Sequence, residues 1–245
     1  MINVVLMAGR GERFTKEGYT TPKPLLSVAG KPMIFRAIEG MPKADRWIFV
    51  IREDYLENKE LLKTLKSIRN DVEIMVNYNS VSQLSSALVP KKYYSESEPL
   101  FIGACDFGMV YDQSKFFDLI NNGKADLISF SFTGQPNLSR NPTAWGWLKQ
   151  DENMLINGVS VKIPISYRPG NDYAITGSFA FKNGKYFLNL ADEILRRDIQ
   201  VKGEHYIDSM IGLACELGHK VISFPVKYIG WGTPTDYEEN KNKIS

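Results

Sequence analysis

An apolar run, Ile2 to Met7, ends abruptly in Ala8-Gly9-Arg10-Gly11-Glu12-Arg13-Phe14, and the residue types after it suit phosphate chemistry. Gly9 and Gly11 allow the backbone to approach an anion closely, because no Cβ stands in the way. Amides in a turn at the end of a first strand can point at such an anion. From Arg10 to Arg36 six basic residues (Arg10, Arg13, Lys16, Lys23, Lys31, Arg36) face only Glu12 and Glu17, a local +4 in a chain of net charge +2. The rest of the chain therefore sums to −2, so the positive charge is concentrated where the glycines are. That arrangement suits a polyphosphate; a solvated basic loop around a tight turn is the plainer reading. Two named phosphate motifs fail here. The Rossmann G-x-G-x-x-G has Phe14 for its third glycine. The P-loop has Leu25 for its first glycine, and Pro32 follows Gly30-Lys31 where Ser or Thr would bind metal.

A carboxylate offers the complementary chemistry. Asp106 closes the run Leu100-Phe101-Ile102-Gly103-Ala104-Cys105, and an acid at the C-terminal end of a central strand is where an open α/β site holds Mg²⁺. The competing role for Asp106 is to cap the next turn. Cys105 beside it suits core packing. Lys23 lies between Pro22 and Pro24, whose fixed φ stiffens the backbone under its charge.

These residues need elements to carry them. Ile2–Met7, Trp47–Ile51, Val72–Val76, Leu100–Ala104 and Leu127–Phe132 read as buried strands, and Tyr55–Ile68 and Phe116–Ile120 carry helical spacing. Alternation of this kind predicts βαβ units and one α/β domain, its central sheet mixed but mostly parallel, with helices on both faces. The second half predicts strands at Trp145–Leu148, Tyr173–Lys182 and Lys220–Val226 and helices at Lys185–Arg197 and Tyr206–Leu217. Trp145–Leu148 and Tyr173–Lys182 have no long helix between them, so this half is expected to be antiparallel or mixed. The tail from Thr235 is expected to be a short helix turned outward.

With 43% hydrophobic and 24% charged residues over 245 positions the chain has material for a large core, which excludes disorder. Cys105 and Cys215 are far apart, no C-x-x-C occurs, and His205 and His219 are the only histidines. Zinc ribbons, redox motifs and a disulfide scaffold are therefore not expected, and a reducing, cytoplasmic location is. The opening apolar run is too short for a signal peptide, and no segment reaches the ~18 residues of a membrane helix. Near-neutral charge without a basic helix argues against nucleic acid as a partner.

Three sub-motifs in order, Leu6 to Phe14, Pro22-Lys23-Pro24-Leu25-Leu26 and Gly30-Lys31-Pro32-Met33-Ile34, resemble the signature of the sugar-1-phosphate nucleotidylyltransferases, also called nucleoside-diphosphate-sugar pyrophosphorylases. The resemblance continues more weakly to the C-terminus. It implies one Rossmann-like (GT-A-like) nucleotidyltransferase domain over 1–245, with a nucleotide-binding half (1–132) and an acceptor-binding half (133–245). It implies Mg²⁺ as cofactor, with a nucleoside triphosphate and a small phosphorylated acceptor as partners. By the same resemblance Leu6, Ala8, Gly9 and Gly11 contact the nucleotide, and Arg13 holds the β- and γ-phosphates. Lys23 reaches the α-phosphate region and Asp106 binds the metal. Gln83, within Asn77–Ala87, occupies the base-reading position, although the family's usual glycine there is a serine. Lys162 in Val159-Ser160-Val161-Lys162 meets the acceptor phosphate, with Val161 replacing the family's acid. Gly177 lies in the acceptor turn, and Glu204 takes the place of a sugar-binding glutamate.

The largest departure is Tyr228-Ile229-Gly230-Trp231-Gly232-Thr233-Pro234, where Gly230 replaces the family's second metal aspartate. Asp208 is the substitute expected from sequence, ahead of Asp236; phosphate oxygens alone are the other option. The leading expectation is Mg²⁺-dependent transfer of a nucleotidyl group to a sugar 1-phosphate, in the service of surface glycan synthesis. A cytidylyltransferase acting on phosphocholine, a polyol phosphate or another small phosphate stays open, as does a nucleotide-sugar-binding protein without catalysis. The sequence names neither base nor acceptor, and it leaves a homo-oligomer open.

Overall fold

The computed structural model describes residues 1–79 and 81–243. Strand β1 (Ile2–Met7) runs through the glycine loop into helix α1 (Glu12–Lys16). A small hairpin, β2 (Ser27–Val28) and β3 (Lys31–Pro32), leads to α2 (Met33–Glu39). Then come β4 (Arg46–Arg52), α3 (Lys59–Ile68), β5 (Glu73–Asn77), α4 (Gln83–Leu88), β6 (Leu100–Ala104), β7 (Phe107–Val110), α5 (Gln113–Asn121) and β8 (Leu127–Phe132). The second half contributes α6 (Pro136–Arg140), β9 (Gly146–Gln150), β10 (Ile156–Val161), the long β11 (Tyr173–Phe181), α7 (Gly184–Arg196) and α8 (Asp208–Glu216). It closes with β12 (Val221–Pro225), β13 (Lys227–Gly230) and α9 (Pro234–Asn240).

The central sheet has nine strands in the order β10-β9-β11-β6-β1-β4-β5, with β8 joined to β11 and β12 to β8. Strands β5, β4, β1 and β6 are mutually parallel, as are β8 and β12. β11 runs against β6, β8 and β9, so the sheet is mixed and mostly parallel, with its antiparallel members in the second half. Continuous apolar strands such as Val4-Val5 and Ile48-Phe49-Val50 are fully buried because helices cover both faces. On one face α2, α3 and α5 set Ile34, Leu61, Leu65 and Phe116 against Val5, Phe49 and Phe101. On the other, α4, α7 and α8 set Leu84, Phe187 and Met210 against Val4, Ile48 and Ile102. Among the described residues no helix is long and apolar enough to cross a membrane.

A third cluster corrects the expectation for the tail. Helix α9 turns inward, because Tyr237 packs edge-on to both Phe14 and Tyr19 at 6.0 Å, over Trp231 and Met33. Aromatic burial brings the chain's end onto α1, beside the glycine loop, and its first turn carries Asp236 into the site.

Candidate active site

The glycine loop starts where β1 ends. Gly11 adopts φ +65°, the left-handed region open to glycine, and its carbonyl accepts from Phe14 and Thr15 to begin α1. Phe14 is buried, so α1 is anchored from below while Arg10 and Arg13 stay exposed. Among the described residues the amides of Gly9, Arg10 and Gly11 donate to no protein acceptor. Successive free amides in a turn of this kind can take up an anion. Behind them Arg52, at the end of β4, donates from Nη1 to the Arg10 carbonyl at 2.6 Å and to the Gly9 carbonyl at 3.4 Å. Leu6 and Ala8 lie at the strand end that leads into this loop, Ala8 buried.

Lys23 and Asp106, distant in sequence, meet here. Lys23 Nζ donates to Asp106 Oδ2 at 2.6 Å and to the Gly232 carbonyl at 3.0 Å, and it lies 5.2 Å from the centre of the Phe14 ring. Both side chains keep some exposure, 15% and 27%. They divide two cavities. One, about 480 Å³, is lined wholly by residues 10–58, including Arg10, Lys23 and Arg52. The other, about 380 Å³, takes Arg13, Asp106 and Phe107 from the first half and the rest of its wall from Asn137 onward.

Lys162 is half-buried and Asp208 buried, and each feels the other's charge without an ion pair between them among the described residues. Lys162, at φ +63°, donates to the Ala144 carbonyl and lies 5.1 Å from the Tyr206 ring centre. Burial lowers its ammonium pKa, with the nearby Arg13 charge adding to the effect and Asp208 opposing it. Burial likewise raises the Asp208 carboxyl to about 6, against the pull of Lys162. A Cβ on Gly146 would collide with Asp208 Oδ2, so this glycine makes room for the acid. Gly177 sits at φ +91° in β11, where its register with β8 shifts. Glu204 is exposed at the end of a tight turn in which Val201 and Glu204 exchange backbone hydrogen bonds. Gln83 is already engaged: its Oε1 accepts from the Ile207 amide at 3.1 Å. The amide pair that the sequence offered to a base is thus reduced to a donor. Of Asn77–Ala87, Ser80 lies outside the described residues.

The expected metal pairing of Asp106 with Asp208 does not form a common site: Asp208 is held under Gly146 beside Lys162 and does not line the cavity that Asp106 faces. Asp236 does line it. Its Oδ2 accepts from Thr233 Oγ1 at 2.8 Å and its Oδ1 from Arg140 at 3.3 Å. The glycine at 230 also has a physical reason. A Cβ there would lie 2.7 Å from the Tyr228 ring, which is stacked on Phe132 at 4.1 Å. Burial pushes the Tyr228 hydroxyl well above its ordinary range, and Asp106 and Asp236 reinforce this. Among the described residues no three His, Cys, Asp or Glu side chains converge as a metal cage. The donor set fits Mg²⁺ held by one or two carboxylates and completed by substrate phosphates, and does not fit a metal held by protein alone.

Several site residues escaped the sequence: Arg52, Asn137, Arg140, Trp145 and Tyr228. Arg140 carries a detectable signal, a basic residue following a Pro-initiated helical turn, and it is clamped by Glu239 at 2.5 and 2.8 Å. Asn137 Oδ1 and the Trp145 indole N–H are buried and lack a hydrogen-bond partner among the described residues, and both residues line the second cavity.

Similarity to known proteins follows the same outline. The family model of the MobA-like NTP transferase domain matches residues 3–134. A nucleoside-diphosphate-sugar pyrophosphorylase from Vibrio cholerae is 19% identical, with TM-score 0.77 over 98% of this chain and 99% of that one. The inositol-1-phosphate CTP transferase of T. maritima is 16% identical, with TM-score 0.72 over 100% and 97%. A Bacillus anthracis structure described as a glucose-1-phosphate thymidylyltransferase in complex with a sucrose is 15% identical, with TM-score 0.78 over 100% and 97%. At these identities the likeness is one of fold. Among curated protein sequences none matches this chain.

Proposed function

The chain belongs to the MobA-like NTP transferase family and is a nucleotidyltransferase; on that premise we propose that it joins a nucleoside triphosphate to a hydroxylated small phosphate, a sugar 1-phosphate first, with Mg²⁺. The observation that carries this reading is the Lys23–Asp106 pair at the strand ends, between an all-N-terminal cavity and one walled mainly by the second half. The first half (1–132) then holds the nucleotide and the second (133–245) the acceptor.

An acceptor phosphate oxygen attacks the α-phosphorus in line, forming one P–O bond as the bond to pyrophosphate breaks. Positioning and charge stabilisation supply the catalysis. Arg13 holds the departing pyrophosphate, and Lys23, moving from Asp106 to the α-phosphate, balances charge gathering on phosphorus. Asp106, with Asp236 across the cavity, would hold Mg²⁺, which would supply positive charge to offset the phosphates. Lys162 is the acceptor-side cation, with Glu204 close enough for its charge to act on it; Gly177 follows Thr176, which lines the second cavity.

A hydroxylated acceptor is favoured over phosphocholine by the unpaired groups in the second cavity. The Trp145 indole can only donate and the Asn137 carbonyl can only accept. A hydroxyl does both, whereas a quaternary ammonium does neither. A role in surface glycan synthesis is consistent with such a product. The test is a thermal-shift series of the common NTPs with and without Mg²⁺, followed by pyrophosphate release with hexose 1-phosphates, inositol 1-phosphate and phosphocholine. A ligand at ~100 times its Kd adds about 2.7 kcal/mol, a rise of about 5–11 °C for a domain of this size. One NTP standing out with Mg²⁺ and pyrophosphate released with a hydroxylated phosphate are expected. No NTP response, with stabilisation by a finished nucleotide-sugar, would sink the reading in favour of a binding protein.

A further inference from the structure

We infer that Arg52 is a positioning residue that sets the glycine loop in its nucleotide-holding conformation; this rests on the reading of that loop as the nucleotide's cradle. Parallel pairing puts Met7 opposite Ile51, so Arg52 is the first β4 residue past the point where β1 gives way to the loop. Its guanidinium reaches across to the carbonyls of Arg10 (2.6 Å) and Gly9 (3.4 Å). Because a trans peptide is planar, the N–H of the next residue points opposite to each carbonyl. Holding the Gly9 and Arg10 carbonyls on the Arg52 side therefore turns the Arg10 and Gly11 amides the other way, as a set.

The guanidinium is itself held in place. Nε donates to Asp54 Oδ1 at 2.6 Å, Nη2 pairs with Asp54 Oδ2, and the group lies 5.0 Å from the centre of the Tyr55 ring. The side chain is 24% exposed. One planar fork thus spends one edge on Asp54 and presents Nη1 to the loop, which a lysine's point charge cannot reproduce. A glycine-rich loop without such a hold samples many conformations, and ligand binding must then order it.

The test pairs a loop readout with a binding readout in Arg52→Gln and Arg52→Lys. Trypsin cleaves after Arg10 and Arg13, so its rate there reports loop opening without any ligand. Arg52→Gln is expected to raise cleavage at these two bonds about tenfold and to weaken the best-bound NTP about tenfold in Mg²⁺. Arg52→Lys should recover part of both, and Asp54→Asn should give a smaller loss of the same kind. Wild-type cleavage rates in Arg52→Gln would overturn the clamp. Faster cleavage with unchanged NTP affinity would overturn its link to the nucleotide. If no NTP binds the wild type, the nucleotide reading of the loop falls and this proposal with it, while the cleavage rates still report whether Arg52 restrains the backbone.

Discussion

Arg13 and Asp208 sit at opposite extremes of exposure, and each yields a distinct expectation. Arg13 is exposed at the start of α1. Arg13→Ala should therefore fold normally, by circular dichroism and melting temperature, while turnover falls by about two orders of magnitude or more. Near-normal turnover would remove Arg13 from the reaction. Asp208 is buried, and its carboxyl titrates at about 6, above the ~3.9 of an unfolded aspartate. Between those values the native state keeps a proton the unfolded chain has lost. The stability this supplies is complete below about pH 4 and is lost as the pH climbs through 6. The loss is on the order of 2–3 kcal/mol. Wild type should therefore lose stability relative to Asp208→Asn from pH 4 to 7, and parallel urea midpoints across that range would contradict the assignment.

At the scale of elements, β13 explains why an acid is missing. Gly230→Asp should destabilise the fold by about 1–3 kcal/mol through overpacking, because its Cβ would meet the Tyr228 ring at 2.7 Å. Urea unfolding of Gly230→Asp alone and with Tyr228→Ala separates that clash from any effect of charge: the second variant should relieve it. Elements buried on both faces were legible in the sequence, since strands such as Val4-Val5 must be apolar throughout. β10 was not, because Gly158 and Ser160 break the pattern and the strand is held by β9 and by α8, where Gly212 allows Val159 close. The inward course of α9 depends on Phe14 and Tyr237, which are brought together only by the fold. The site divides in the same way. Arg13, Lys23 and Asp106 sit in contiguous motifs, whereas Arg52 and Trp145 act through backbone atoms and cavity walls that sequence does not display.

Across the whole molecule the two halves are stitched at one further seam: Gln83 accepts from the Ile207 amide and Leu84 donates to the His205 carbonyl at 3.2 Å. The segment that precedes α8 is thereby tied to α4, so an element of the first half and one of the second share a hydrogen-bonded boundary. Between the cavities the Lys23–Asp106 pair sits at 2.6 Å; if Mg²⁺ and a triphosphate bind there as proposed, the pair would act as a conditional lock. A lone cation approaching Asp106 meets an ammonium already in place, and a lone phosphate approaching Lys23 meets a carboxylate. Each on its own is repelled by the like charge beside its target, which weakens its binding. A metal–triphosphate arriving together offers the carboxylate a cation and the lysine an anion at once, so both ends are repaid in the same event. Calorimetry should then show weak heats for Mg²⁺ alone and for metal-free nucleotide, with a far stronger response to the two combined. Lys23→Met should let Mg²⁺ bind by itself. On that reading the lock favours the double key, and free magnesium by itself is expected to hold it open only weakly.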